Sequence, residues 1–163
     1  MKSNKDLNYI SWDEYFMGVA LLSSYRSKDP NTKVGACIVN PYNRIIGIGY
    51  NGLPYGCSDD EYPWAREGDF LNTKYPYVVH AEPNAILNAT TSLTDATLYV
   101  TLFPCHECVK LIIQSGIKQI VYMSDKYEGC ESNLAGKRMI ASAGIKIREM
   151  NPLSINFSSK DKD

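Results

Sequence analysis

Two short segments constrain this chain of 163 residues more than any other feature. The first is His80-Ala81-Glu82, and the second, Pro104-Cys105-His106-Glu107-Cys108, begins 22 residues after Glu82. Cys105 and Cys108 are three residues apart at the predicted start of a helix, so their sulfurs share one face of it. His80 opens another predicted helix and can approach from across the site. A fold that brings these two helix starts together joins three metal-binding side chains.

The spacing indicates a metal site with one open position. A structural zinc site normally has four protein ligands, whereas a catalytic site has three and leaves the fourth position for water. The chain has two histidines, and His106 points about 100° away from Cys105 around the predicted helix. We therefore assign His80, Cys105 and Cys108 as Zn2+ ligands. Glu82 is then the candidate catalytic residue, because its carboxylate can move protons.

The cysteine pair and the His-x-Glu element also allow other interpretations. A Cys-x-x-Cys pair alone is also typical of redox motifs and of structural zinc. A His-x-Glu element has no role in thiol exchange, which favours the catalytic interpretation. A non-catalytic zinc-binding module stays an alternative; it predicts a fourth protein ligand and a dispensable Glu82.

Composition favours small partners. Seventeen basic and eighteen acidic residues give a net charge of −1, which argues against a long nucleic-acid partner. The absence of an uncharged apolar run of about 20 residues predicts no membrane span. A polar start, 1–8, lacks an apolar signal segment, so we predict a cytoplasmic protein. Five cysteines, an odd number, favour metal binding or free thiols over a disulfide framework.

Helical and strand patterns alternate along the chain. The predicted elements are a helix from the Ser11 capping box, strands at 33–40 and 44–50, a helix at 82–89, a strand at 96–102, a helix at 105–114, a strand at 117–123, a helix at 132–143 and a strand at 145–150. This order predicts an α/β fold, a three-layer α/β/α sandwich around a five-stranded mixed sheet. We expect one domain over 1–150 and a polar tail at 151–163. The irregular segment 51–77 is long for a compact domain, which is typical of functional loops.

Segments outside the metal motif carry a family resemblance. They are residues 26–31, 34–39, 47–52, 73–77, 111–113 and 123–127. With the H-x-E and P-C-x-x-C signature of zinc-dependent base deaminases, the chain resembles the deoxycytidylate (dCMP) deaminase family from about Trp12 to Met150. The resemblance implies a cytidine deaminase-like fold and conversion of dCMP and water to dUMP and ammonia, which supplies dUMP for dTMP synthesis. It also implies a homohexamer activated by dCTP with Mg2+ and inhibited by dTTP.

The resemblance extends to residues that contact nucleotides. The substrate-binding candidates are Arg26, Ser27 and Lys28 for the 5′-phosphate, Asn51 for the sugar or base, the Ala81 N–H for the cytosine carbonyl, and Tyr127 over the nucleotide. The candidates for the regulatory nucleotide are Gly49, Tyr50, Asn51 and Gly52. Structural alternatives exist: Arg26 and Lys28 also favour a helix C-terminus, Asn51 with Gly52 suits a turn, and Tyr127 suits packing.

One residue departs from the family pattern. Position 83 is proline, where the family more often has leucine. Proline is tolerated in a first helical turn because its missing N–H is not used there, so we expect at most altered kinetics. A rival function, deamination of tRNA or single-stranded DNA, uses the same metal signature; the near-neutral charge argues against it.

Overall fold

A five-stranded mixed sheet organises the computed structural model, which describes residues 5–158. The strands are β1 (Gly35–Val39), β2 (Ile45–Tyr50), β3 (Thr97–Val100), β4 (Gln119–Tyr122) and β5 (Lys146–Glu149). The helices are α1 (Trp12–Ser24), α2 (Ala81–Leu87), α3 (His106–Gln114) and α4 (Glu131–Ser142), with a short 3₁₀ helix at Phe70–Asn72. Each predicted strand lies within about two residues of its observed bounds.

The strand order across the sheet is β2-β1-β3-β4-β5. Strand β1 runs antiparallel to both of its neighbours, whereas β3, β4 and β5 run parallel to one another. The parallel strands are joined through α3 and α4, as βαβ connections require. The predicted mixed sheet is confirmed.

Alternating side chains of the central strands form a core on each face of the sheet. On the face that α1 covers, the core residues are Phe16, Met17, Ala20, Cys37, Val39, Tyr99 and Val121. On the opposite face, α2, α3 and α4 contribute Ala81, Ala85, Val109, Ile112 and Ile140 to a core with Ala36, Ile38, Leu98, Val100 and Ile120. Because both faces are covered, every residue of β1 is buried. The three predicted layers are therefore present.

Local sequence chemistry sets the ends of the first elements. Ser11 Oγ accepts a hydrogen bond from the Glu14 N–H at 3.2 Å, and Glu14 Oε2 accepts one from the Ser11 N–H at 2.7 Å, which completes the predicted capping box. Asn43 takes a positive φ of 59° in the turn between β1 and β2, a conformation that asparagine tolerates.

Two glycines of β2 allow α2 to lie close against the strand. A Cβ on Gly49 would stand 2.3 Å from the Ala85 nitrogen and 2.4 Å from the Ala81 oxygen, and one on Gly47 would stand 2.5 Å from the Ala85 oxygen. Real Cβ atoms do not approach backbone atoms so closely. The glycines therefore fix where α2 begins, directly after His80.

The segment after β5 returns along α1. Tyr25 donates a hydrogen bond to the Ile155 carbonyl at 3.3 Å, and its ring meets the Phe157 ring at 5.6 Å between centroids. A division into a domain at 1–150 and a tail stays a prediction, and residues 159–163 of that tail lie outside the described part. Within residues 5–158, no helix has both the length and the apolar character needed to cross a bilayer.

Candidate active site

The starts of α2 and α3 bring the three predicted metal ligands together. His80 and Cys105 are the N-cap residues of these helices, and Cys108 lies one turn into α3. His80 Nδ1 is 3.5 Å from Cys105 Sγ and 3.3 Å from Cys108 Sγ. A tetrahedral zinc ion separates a nitrogen and a sulfur ligand by about 3.6 Å, from bond lengths of about 2.05 and 2.3 Å. The side chains therefore fit zinc without rearrangement, and within residues 5–158 they are the one His/Cys/Asp/Glu cluster of this kind.

The electrostatics of the two sulfurs also suit a cation. Hydrogen bonds from Cys108 and His80 lower the pKa of the Cys105 thiol to about 4, although burial opposes this. The pKa of Cys108 is raised, because its thiol is hydrogen-bonded to Cys105 and is buried. The two sulfurs lie close enough together for one cation to bind both of them, and binding of the cation releases protons from the thiols. All five cysteines of the chain are free thiols.

Glu82 lies beside the metal cluster and is almost completely buried, with 4% of its surface exposed. Burial raises the pKa of its carboxyl, while the nearby His80 and a hydrogen bond with Cys108 pull in the opposite direction. A buried carboxyl beside a metal cluster is placed to take up and to release a proton during a reaction. This is the property that the sequence-based hypothesis assigns to Glu82.

A cavity of about 330 Å³ opens above the metal cluster. Its wall comes from the segment between α1 and β1, the loop 51–77 after β2, the segment that leads into α2, the start of α2, the segments that follow β3 and β4, and the start of α4. The lining residues are Asp29, Thr32, Val34, Asn51, Arg66, Lys74, Tyr75, Val78, His80, Ala81, Glu82, Leu102, Phe103, Pro104, Cys105, Tyr127, Cys130, Ser132 and Asn133. It lies at the carboxyl ends of β3 and β4, where parallel sheets commonly bind ligands.

A buried ion pair forms part of this wall. Lys74, 8% exposed, is bonded to the carboxylate of Asp29, which is 1% exposed. Burial alone would raise the pKa of Asp29, but hydrogen bonds from Lys74 and from two backbone N–H groups outweigh it, so this pKa lies below 3.8. Asn51 adjoins the pair: its amide donates to the Thr32 carbonyl at 2.9 Å and to Asp29 at 3.4 Å, and its oxygen accepts from the Val34 N–H at 2.8 Å.

The other predicted nucleotide contacts divide into two groups. Asn51, Ala81 and Tyr127 line the cavity, whereas Arg26, Ser27 and Lys28 do not. Ser27 is buried and accepts a hydrogen bond from the Asp29 N–H at 3.3 Å, and Lys28 forms an ion pair with Asp59. The phosphate-binding role of these three residues stays a prediction.

The predicted regulatory residues border the site without sharing its cavity, except Asn51. Gly49 packs against α2, and the Tyr50 carbonyl accepts a hydrogen bond from Asn84 at 2.8 Å. Gly52 exchanges backbone hydrogen bonds with Val79 at 3.0 and 2.8 Å. Their regulatory role stays a prediction too.

Sequence reasoning overlooks Arg66, which lines the cavity from the loop 51–77 and donates from Nε to the Tyr75 hydroxyl at 3.4 Å. No periodic pattern marks an arginine in an irregular segment. Lys74 falls within the block 73–77, which carries the family resemblance, but burial of the lysine is not visible in the sequence.

Pro83 occupies the first turn of α2 without disturbing it. The first intrahelical bond of α2 runs from the Asn84 N–H to the His80 carbonyl, at 3.3 Å. The N–H that proline lacks is therefore not needed by the helix.

The fold and the site agree with comparisons to known proteins. Residues 10–124 match the model of the cytidine and deoxycytidylate deaminase zinc-binding region. Human deoxycytidylate deaminase is 55% identical over 93% of this chain and 89% of its own length, and the probable deoxycytidylate deaminase of Drosophila melanogaster is 52% identical over 97% and 83%. The crystal structure of dCMP deaminase from cyanophage S-TIM5 in complex with dCMP and dUMP superposes with a TM-score of 0.68, at 29% identity over 84% of this chain and 95% of that one. The chain belongs to the cytidine and deoxycytidylate deaminase family.

Proposed function

We propose that this protein hydrolyses dCMP to dUMP and ammonia at the cavity above His80, Cys105 and Cys108. The observation that carries the proposal is the buried carboxyl of Glu82 beside a three-ligand metal cluster with ligand distances that suit zinc. The names of the human and cyanophage relatives supply the substrate. A non-catalytic zinc module is disfavoured, because within residues 5–158 the cluster contains three metal-binding side chains and not four.

His80, Cys105 and Cys108 would hold the zinc ion. Bound zinc supplies a water activated for attack near neutral pH, because it lowers the pKa of that water from about 15.7 to about 7. The His80 and Cys105 side chains are at N-cap positions, so the start of each helix directs one ligand into the cavity.

Glu82 would move the protons of the reaction. It accepts the proton of the attacking water as the water oxygen bonds to C4 of the base, and it delivers that proton to ring N3. It then passes the second proton of this water to the departing amino group as the C4–N bond breaks. Water and dCMP are consumed, and dUMP and ammonia leave, so Glu82 returns to its starting state.

Backbone and amide groups would orient the nucleoside. The Ala81 N–H lies in the first turn of α2, where N–H groups lack partners within the helix, and Ala81 lines the cavity; we assign this N–H to the base carbonyl. Asn51 already donates two hydrogen bonds and accepts one. It therefore offers the second lone pair of its oxygen, which suits a sugar hydroxyl. Tyr127 would cover the nucleotide from the opposite wall.

Arg66 is the stronger candidate for the 5′-phosphate. Lys74 is already paired with Asp29, whereas Arg66 lines the cavity and uses one of its five donors on Tyr75. A guanidinium fork binds phosphate through paired, charge-assisted hydrogen bonds. Arg26, Ser27 and Lys28 are the competing assignment from the sequence.

The experiment that tests the function measures ammonia release from dCMP, deoxycytidine and single-stranded DNA. We expect fast release from dCMP, slow release from deoxycytidine and none from DNA. Turnover of DNA without turnover of dCMP would favour the rival polynucleotide deaminase. No release from any of the three, with zinc bound, would favour a non-catalytic module.

The finer assignments rest on the family resemblance and on the composition of the chain, and no contact among the described residues carries them. They comprise supply of dUMP for dTMP synthesis in the cytoplasm, activation by dCTP with Mg2+, inhibition by dTTP and a homohexamer. Titration of dCTP and dTTP into the dCMP assay, with the mass of the assembly measured alongside, tests the regulation and the hexamer.

A further inference from the structure

Helix α3 lacks a cap from its own N-cap residue. Cys105 occupies the N-cap position with extended backbone angles of −69° and 166°, and its side chain makes no capping hydrogen bond. Serine, threonine, asparagine or aspartate normally fills this position and accepts from an N–H of the first turn. The Cys105 sulfur faces His80 and Cys108 instead, and the backbone N–H nearest to it is that of Cys108. The His106 N–H, at the first position of α3, therefore needs an acceptor from another element.

Ser132 of α4 supplies that acceptor from a different helix. Its Oγ accepts from the His106 N–H at 3.2 Å and lies 2.8 Å from Nδ1 of the same histidine. The serine hydroxyl can donate to Nδ1 while its oxygen accepts from the backbone. Nε2 of the same ring lies 3.0 Å from Glu107 Oε1. These contacts account for a histidine between two metal-binding cysteines that is not itself a ligand.

Helix α4 lies close to α3 at Gly136, one turn after Ser132. A Cβ on Gly136 would stand 3.3 Å from Val109 Cγ2 and 3.8 Å from the His106 Cα. Gly136 and Ser132 are four residues apart, so they share one face of α4. One turn of α4 thus allows close contact with α3, and the preceding turn holds the start of α3.

We propose that Ser132 is a positioning residue for the metal site: its hydroxyl caps α3 and so keeps the Cys105 and Cys108 sulfurs at binding distance from His80. The proposal rests on the zinc site of the proposed function. It assigns Ser132 no contact with the reacting atoms. Residues that orient metal ligands in this way typically change metal affinity or activity 10- to 100-fold when they are replaced.

The test compares zinc release from the purified, zinc-loaded protein to an excess of a chromogenic chelator. Ser132→Ala should release zinc about 10- to 100-fold faster than wild type. Ser132→Thr keeps the hydroxyl and should restore slow release. Ser142→Ala, an exposed serine in the last turn of the same helix, is the matched control and should behave as wild type. Equal release rates for wild type and Ser132→Ala would overturn the proposal.

A second measurement needs no metal. Amide hydrogen exchange of His106, followed by NMR in the metal-free proteins, should be faster in Ser132→Ala than in wild type or in Ser132→Thr, because the N–H loses its acceptor. Unchanged exchange of His106 would overturn the capping role even if zinc release were faster. A wild-type protein that binds no zinc would contradict the proposed function, whereas this exchange measurement would still report on the cap.

Discussion

At the scale of single residues, the proposed function assigns to Arg66 the discrimination between a nucleotide and a nucleoside. Arg66 lies in the irregular loop 51–77 and reaches the cavity only through the folding of that loop. The competing basic residue Lys28 is 62% exposed at its side chain and is paired with Asp59. The 5′-phosphate should therefore depend on the loop more than on the end of α1.

Arg66→Ala should lower kcat/KM for dCMP about 10- to 100-fold, because a hydrogen bond to a charged group contributes about 1.5–3 kcal/mol. Activity on deoxycytidine, which has no phosphate, should not change. Arg138→Ala, which removes an exposed arginine of α4 outside the cavity, serves as the control. A loss for dCMP in Arg26→Ala but not in Arg66→Ala would move the phosphate to the end of α1.

Asp29 gives a prediction about pH. Asp29→Asn leaves Lys74 buried without its counter-charge and should lower the free energy of unfolding by about 3 kcal/mol at neutral pH. The pKa of Asp29 in the folded protein lies below the ordinary 3.8, so its contribution is fully present above 3.8 and is lost as the pH falls further. Chemical denaturation of wild type and variant across this range measures the difference.

The difference in free energy of unfolding between wild type and Asp29→Asn should be constant near neutral pH and should shrink below pH 3.8. Protonation of the metal ligands affects both proteins alike and therefore cancels in the comparison. A difference that grows as the pH falls would contradict the ion-pair account.

At the scale of helices and strands, the site depends on how closely the backbones of neighbouring elements approach one another. Helix α2 lies against β2 because Gly47 and Gly49 leave room for its backbone, and α4 lies close to α3 at Gly136. A Cβ on Gly47 or Gly49 would overlap the backbone of α2, so the packing of this helix and the position of His80 are coupled.

Gly49→Ala should destabilise the fold by at least about 1–3 kcal/mol, the usual cost of overpacking a core, and should reduce the zinc bound per chain because α2 carries His80. Gly18→Ala is the matched control: no atom lies within 4 Å of the added Cβ, and alanine in a helix interior should stabilise by up to about 1 kcal/mol. Thermal unfolding and metal analysis measure both effects. Equal stability of the two variants would show that the glycine is not required.

At the scale of the whole molecule, the sheet order explains why the site lies where it does. Strands β3 and β4 are parallel neighbours, so the segments after them, which contain Cys105 and Tyr127, reach the same edge. Strands β2 and β3 are both antiparallel to β1 and therefore run in the same direction, so Asn51, which follows β2, lies at this edge too. Cavity residues that follow three different strands therefore meet at one edge of the sheet.

This arrangement shows how far sequence reasoning extends. The clustering of His80, Cys105 and Cys108 could be predicted because their spacing is typical of metal sites, and the elements could be located because their hydrophobic periods are regular. The places of Lys74 and Ser132 could not be predicted, because their partners are distant in the chain: Asp29 across 45 residues and His106 across 26 residues. Arg66 could not be predicted either, because it lies in an irregular loop. Tertiary contacts of this kind produce no periodic pattern in the amino-acid sequence.

The central claim is that Glu82 moves the protons of dCMP deamination at a zinc site formed by His80, Cys105 and Cys108. The most direct measurement is kcat for ammonia release from dCMP by wild type and by Glu82→Gln, each with its zinc content determined. The glutamine variant should keep its zinc and lose at least about 100-fold in kcat, since general acid–base catalysis contributes about 10²–10⁴. Normal turnover by a zinc-loaded Glu82→Gln would contradict the account.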